Sequence, residues 1–142
     1  MGASPWDYFV PYREDIAAAL KELKQQEFAA DRYNKGWRGT TAASIAEAQQ
    51  NAEADGTRSI LDMEGIMATP HEPDSDAPQL GMVAPLSADQ LVKLFGTDKP
   101  TRAQIEEAGG YPEWLDRGLS VYVIAYDGDT PSEIYFGGLS YD

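Results

Sequence analysis

The pattern of apolar residues in the first third of the chain predicts one strand and two helices. Residues 6–12 are rich in aromatic side chains, and the proline at position 11 favours an extended backbone before it, so this segment predicts a short edge strand. Residues 13–32 carry large apolar side chains at helical spacing, namely Ile16, Leu20, Leu23 and Phe28. Ser44 and Glu47 have the spacing of a capping box, which predicts an alanine-rich helix over residues 44–54.

The middle of the chain predicts two strands joined by a long loop. Residues 57–67 predict a strand in which Ile60 and Asp62 share one face. Residues 69–78 contain three prolines among several acids and predict an exposed loop. Residues 80–84 predict a strand that returns beside the first one, which would make a hairpin with a long tip.

Two further capping boxes predict helices after this hairpin. Ser87 with Gln90 predicts a helix that ends at Gly96. Thr101 with Gln104 has the same spacing and predicts a shorter helix.

The clearest strand in the sequence covers residues 119–126. It is apolar on both faces, which predicts a central strand covered on both sides. Residues 127–131 have turn composition, and residues 132–139 predict the hairpin partner. Together these elements predict an α+β fold: a mostly antiparallel sheet of about four strands with three to four helices packed on it. Since no linker or repeat divides the chain, residues 1–142 are expected to form a single acidic domain.

Acidic residues are concentrated in two blocks. The chain of 142 residues has a net charge of −13. Residues 44–79 contain eight acids and one base, and so do residues 103–142, whereas residues 1–43 are balanced. A field of this sign repels nucleic acids and anionic membranes and attracts cationic partners, and it also keeps a protein soluble. The charge therefore predicts a basic protein partner and no direct binding of nucleic acid or membrane.

The residue types present exclude several classes of function. The chain has no cysteine, which excludes disulfides and thiolate chemistry. No apolar run approaches the ~20 residues of a membrane-spanning helix, and the first residues lack the pattern of a secretory signal. We therefore expect a cytoplasmic protein without a cofactor.

Two acidic segments have some features of metal sites. His71, the only histidine, lies close to Glu72, Asp74 and Asp76, but the loop has no evident feature that would hold ligands in a fixed geometry. Residues 127–133 begin like a calcium loop and lack its glycine and its final glutamate, so a hairpin turn explains them. The sequence accordingly predicts no metal site.

Asp62 and Glu64 are the candidates for acid–base chemistry, because they lie on one face of the strand predicted for residues 57–67. Paired carboxylates can exchange protons with a substrate when burial separates their pKa values. A solvated strand face, or a salt bridge to Arg58 or Arg102, would explain the same pair. Because no nucleophile motif or phosphate-binding loop accompanies the pair, no catalytic residue is assigned, and an enzyme is the less favoured class.

Aromatic side chains are numerous enough to suggest an interaction surface. Trp and Tyr are enriched in interface hot spots, although an aromatic core is the simpler explanation. Exposed acids between the aromatic residues would complete a docking surface for a basic protein. The residues assigned to this surface are Trp37, Asp62, Glu64, Glu106, Glu107, Trp114, Asp127 and Asp129.

Several stretches of the chain resemble one group of proteins. These stretches are Gly56-Thr-Arg-Ser-Ile-Leu-Asp-Met63, Ala84-Pro-Leu-Ser87, the strand around Tyr122, and the segment from Glu133 to Asp142. They resemble uncharacterised small acidic proteins of high-GC actinobacteria, and the resemblance covers most of the chain. It implies a bacterial source and implies no activity.

Three functions are open on this evidence. The favoured one is an acidic protein-binding module, such as an immunity protein or inhibitor that caps a basic surface of a toxin or nucleic-acid-binding protein. The alternative is a small enzyme, or a metal- or ligand-binding protein, that uses carboxylates and tyrosines. The third is an oligomeric scaffold joined through strand edges, and the oligomeric state is left open.

Overall fold

A five-stranded mixed sheet organises the protein. The computed structural model describes residues 4–36, 39, 41–52 and 56–141. Along these residues the elements are β1 (Pro5–Pro11), α1 (Ile16–Ala29), α2 (Ile45–Ala52), a 3₁₀ helix (Ile60–Asp62), β2 (Gly65–Ile66), β3 (Met82–Pro85), α3 (Ala88–Phe95), α4 (Arg102–Glu107), β4 (Ser120–Asp127) and β5 (Thr130–Leu139). The strand order is β1-β5-β4-β3-β2. None of the helices within the described ranges has the length and hydropathy needed to cross a bilayer.

Capping side chains set where the helices of the second half begin. The Ser87 hydroxyl accepts from the Gln90 amide at the start of α3, and the Gln90 side chain accepts from the Ser87 amide in return. Thr101 and Gln104 repeat this exchange at α4. Both predicted capping boxes are thus confirmed.

The directions of the strands differ from the prediction. The hairpin of β4 with β5 is confirmed, and β1 pairs antiparallel with β5 at the sheet edge, as an edge strand should. However, β3 runs parallel to both β4 and β2. The predicted hairpin of residues 57–67 with residues 80–84 is therefore wrong. The predicted α+β class is confirmed, and the sheet differs from the predicted one in having five strands and two short parallel pairings beside its two longer antiparallel ones. A loop as long as residues 67–81 can return to either end of a neighbouring strand, so the alternation of side chains did not reveal the direction.

Residues 60–63 are not part of a strand. They form the 3₁₀ helix and its end, and Ile60, Leu61, Asp62 and Met63 are all buried. The Ser59 hydroxyl accepts from the Leu61 amide and starts the helix. A run in which every residue is buried has no period of two, which explains why the strand prediction is wrong here.

Two apolar cores lie on opposite faces of the sheet. In β4, Val121, Val123 and Ala125 belong to one core, whereas Tyr122 and Ile124 pack against the other. The first core contains residues of the α4 region, and the second contains residues of α1 and the 3₁₀ helix. The prediction of a central strand covered on both sides is confirmed.

A glycine pair in β5 allows the strands to approach closely. Gly138 lies opposite Trp6 of β1 and opposite Ser120 of β4. A Cβ atom at Gly138 would lie 2.6 Å from the Leu119 carbonyl oxygen and 2.8 Å from the Ser120 Cα. At the preceding Gly137, a Cβ would collide with the Tyr135 ring. Neither glycine has a positive φ, so space rather than backbone conformation requires them.

Candidate functional site

The first candidate site is a groove at the end of the sheet where β3 and β4 begin. The Gly81 amide, just before β3, donates to the Gly118 carbonyl, just before β4, at 2.9 Å. This bond places the loop that precedes β3 next to the segment that precedes β4. We call the groove between them the acidic groove; it is lined by Glu72, Asp74, Leu80, Trp114, Asp116 and Arg117.

The two acidic blocks of the sequence meet in the acidic groove. Glu72 and Asp74 come from residues 44–79, and Asp116 comes from residues 103–142. All three residues are exposed, and none has a described Lys, Arg or His nitrogen within 4.0 Å. Arg117 also lines the groove, but the three carboxylates outnumber its single positive charge, so the groove keeps an excess of negative charge that is available to a partner.

Apolar side chains lie among these carboxylates. The Trp114 side chain is half-buried, and Leu80 is 54% exposed. A tryptophan at the centre of a polar groove is typical of interface hot spots, because its large ring loses much water-accessible area on binding.

His71 holds the loop that carries Glu72 and Asp74. Its imidazole is buried, and Nε2 lies 3.1 Å from the carbonyl oxygen of Met82 in β3. Because a carbonyl can only accept, Nε2 donates this hydrogen bond. The expectation of a loop with nothing to hold it is therefore wrong: the histidine ties the acidic loop to the sheet.

Replacement of His71 by alanine should release this loop. The variant loses a buried hydrogen bond and the packing of a ring, so we expect the free energy of unfolding to fall by about 2 kcal/mol. Digestion with a protease that cleaves before aspartate, followed by mass spectrometry, should show faster cleavage between Ser75 and Asp76. His71→Gln is the matched control, since its amide can donate to the same carbonyl, and it should be cut more slowly. Equal cleavage of wild type and His71→Ala would contradict the anchoring role.

A second groove shares Trp114 with the first. It lies between α3 and the segment that follows α4, and its volume is about 310 Å³. We call it the apolar groove because most of its wall is apolar: Leu86, Leu94, Ala108, Tyr111, Pro112 and Trp114. Polar side chains of Gln90, Lys93 and Glu113 complete the wall. Burial raises the pKa of the Tyr111 phenol, and the negative charge of Asp7 adds to the effect, so this tyrosine stays neutral at physiological pH.

Six of the predicted binding residues that the structure describes line neither groove, and two of these are Asp62 and Glu64. The other four lie on a different part of the surface. They are Glu106, Glu107, Asp127 and Asp129. The two aspartates flank the β4–β5 turn, at the far end of a strand of eight residues that spans roughly 25 Å. Lys99 lies 3.5 Å from Asp129, and Arg102 lies 3.1 Å from Glu106 and 3.0 Å from Glu133. The acids at this end are thus partly neutralised, and Arg102 is not a partner of Asp62.

Asp62 and Glu64 lie in different environments. Asp62 is buried in the 3₁₀ helix, where its Oδ1 accepts from the Thr57 amide at 2.6 Å and from the Thr57 hydroxyl at 2.8 Å. Glu64 is exposed beyond the helix. The prediction that the two carboxylates share a strand face is therefore wrong, because residues 60–62 turn as a helix.

Both carboxylates act electrostatically on Lys24 and Tyr141. Burial lowers the pKa of Lys24, and the negative charges of Glu64 and Asp62 oppose this shift. The ammonium donates to the Met63 carbonyl oxygen at 2.6 Å. Burial raises the pKa of the Tyr141 phenol, and the same two carboxylates raise it further. These contacts stabilise the chain around the 3₁₀ helix, which is a structural role.

The remaining predicted residue, Trp37, lies outside the described residues. Trp114 is the predicted binding residue that the structure places in the acidic groove, and the acids beside it, Glu72, Asp74 and Asp116, were not assigned individually from the sequence. Their charge blocks were evident, but their proximity depends on the parallel pairing of β3 with β4. Within the described part of the chain, no three His, Asp or Glu side chains are grouped so that they could hold a metal ion.

Comparison with known proteins found no relative of this chain. No family model, no curated protein and no solved structure matches the chain.

Proposed function

We propose that the protein is an acidic binding module that docks its acidic groove on a basic surface of another protein. The observation that carries the proposal is the convergence of Glu72, Asp74 and Asp116, from two separate acidic blocks, around Trp114. An immunity protein or an inhibitor of a cationic toxin or nucleic-acid-binding protein is the kind of molecule that works in this way.

The physical argument combines charge with a fixed surface. A net charge of −13 accelerates the approach of any cationic protein, and exposed carboxylates then select a basic surface over an acidic one. The His71 anchor holds the acidic loop before a partner arrives, which lowers the entropy cost of binding. The aromatic ring supplies apolar area at the centre of the contact.

The alternative function, a small enzyme, was suggested by Asp62 and Glu64, and the surroundings of these two carboxylates do not support it. The Oδ1 of Asp62 accepts from the Thr57 amide and hydroxyl, and Glu64 is exposed to solvent.

The test begins with capture of a partner and continues with two variants of equal charge. Tagged protein is used at low salt, about 50 mM, to isolate a basic partner, which is then purified and titrated. The groove variant is Glu72→Gln/Asp74→Asn/Asp116→Asn. Its matched control, Asp98→Asn/Glu107→Gln/Asp127→Asn, removes three exposed charges that line neither groove.

The groove variant should bind the partner at least tenfold more weakly, which corresponds to about 1.4 kcal/mol. The control variant should change the affinity much less, and lysozyme, a basic protein of no relation, should not distinguish the two. Equal losses for both variants would mean that net charge alone acts, and failure to isolate any basic partner would contradict the proposal outright. Asparagine suits position 74 because Asp74 has a φ of 59°, which asparagine tolerates.

A further inference from the structure

We infer that the basic partner presents a short segment in which one apolar side chain enters the apolar groove while a nearby lysine or arginine enters the acidic groove, with Trp114 between them. This inference rests on the proposed function and specifies the chemistry of the segment that is recognised. It follows from the fact that Trp114 lines both grooves.

The apolar groove is large enough for a side chain of the partner. Its volume is about 310 Å³, and apolar cavities of ~150 Å³ already hold a benzene ring. Leu94, Tyr111 and Pro112 line it, and the neighbouring Val92 on α3 is 50% exposed. Most of this surface is apolar, so it favours an aliphatic or aromatic anchor over a charged one, whose burial would cost free energy.

The acidic groove requires the opposite chemistry. An apolar side chain would cover the carboxylates of Glu72, Asp74 and Asp116 without neutralising their charge, whereas an ammonium or guanidinium can pair with them. A cation in this groove also lies next to the indole of Trp114, whose ring face attracts positive charge. The two grooves together therefore recognise an apolar residue and a basic residue that lie close to each other in the partner.

The same charges argue against a second copy of this chain as the occupant. Two acidic grooves brought together would place like charges in contact, and the whole chain is negative. A basic segment is the occupant that satisfies both grooves.

The experiment uses synthetic peptides and one variant that fills the apolar groove. The probe peptides contain one leucine and two lysines or arginines, with the leucine placed two to five residues from the nearest base. One control peptide replaces the leucine by glycine, and another replaces the bases by glutamine. The filling variant is Ala108→Leu, since Ala108 lines the apolar groove. Its control is Ala103→Leu, an exposed position of α4 that lines neither groove. Binding is followed by heteronuclear NMR through the indole N–H signal of Trp114, the amides of residues 72–80 and 116–117 for the acidic groove, and the amides of residues 86–94 and 108–113 for the apolar groove.

The expected result is that at least one leucine-containing basic peptide shifts signals of both grooves. Its affinity should fall at least tenfold, or about 1.4 kcal/mol, when the leucine becomes glycine or when the protein carries Ala108→Leu, and should be unchanged with Ala103→Leu. Equal binding of the leucine and glycine peptides would overturn the inference and leave the proposed function standing. Absence of any shift at about 1 mM peptide would overturn it as well. The proposed function is tested separately, by capture of a basic partner and by the charge variants of the acidic groove.

Discussion

Substitution of Gly138 by alanine is expected to lower the free energy of unfolding by about 3 kcal/mol, which corresponds to a fall of roughly 10 °C in the melting temperature. Gly138 lies in β5 between two neighbouring strands, and an added methyl group would meet the Leu119 carbonyl oxygen and the Ser120 Cα. These are backbone atoms, so they can yield only if β4 moves away from β5. Such a movement would stretch the hydrogen bonds of the longest hairpin in the described sheet.

The matched control for this prediction is Gly65→Ala. Gly65 is also a strand residue without a positive φ, but a Cβ there would meet only the end of the Met82 side chain, at 3.4 Å. We expect a change within ±1 kcal/mol for the control. Urea denaturation of both variants with wild type measures the difference. Similar stabilities of Gly138→Ala and Gly65→Ala would show that β4 and β5 are not held as closely as described.

Alkaline unfolding is expected between about pH 10 and pH 12. Burial is the largest cause that raises the pKa of the Tyr8 phenol to about 12, and it also raises the pKa values of Tyr122, Tyr135 and Tyr141. Unfolded tyrosines ionise near pH 10. Above that pH the unfolded chain releases protons that the folded chain keeps, so the free energy of unfolding falls as the pH rises. The stabilisation is complete below pH 10 and is lost as the pH rises through 12.

Absorbance near 295 nm and denaturant midpoints between about pH 8 and pH 11 measure this effect. Above about pH 10 the free energy of unfolding should fall less steeply with pH in Tyr8→Phe and in Tyr135→Phe than in wild type. Each variant removes one buried phenol whose pKa is raised in the folded protein. Tyr12→Phe, which removes an exposed phenol, is the control and should retain the wild-type slope. A midpoint that does not change up to pH 11 would contradict the prediction.

Local chemistry in the sequence predicted the parts of the fold that depend on near neighbours. Ser87 and Gln90 are three residues apart and bond to one another, so their helix start required no knowledge of the rest of the chain. The two apolar faces of β4 likewise follow from alternation within eight residues. The direction of β3 depends on where a long loop returns, and no pattern within the strand encodes it.

The candidate site was less predictable for the same reason. Trp114 was a candidate because of its residue type, whereas Glu72 became one only when the loop before β3 proved to lie beside the segment before β4. Asp62 was the opposite case, since its position among apolar residues suggested chemistry, but Thr57 satisfies its Oδ1. The sequence shows which residues are charged, whereas the pairing of distant strands determines which of these residues lie close together.

The pairing of β1 with β5 has a consequence for the order in which the protein folds. The Ser4 amide donates to the Ser140 hydroxyl across 136 positions of the chain, and such distant contacts form late because closing a long loop costs entropy. The β4–β5 hairpin is local and can form first. Until β1 arrives, β5 is an open edge that can pair with another chain. We therefore expect refolding at high protein concentration to produce more aggregate than refolding of dilute protein.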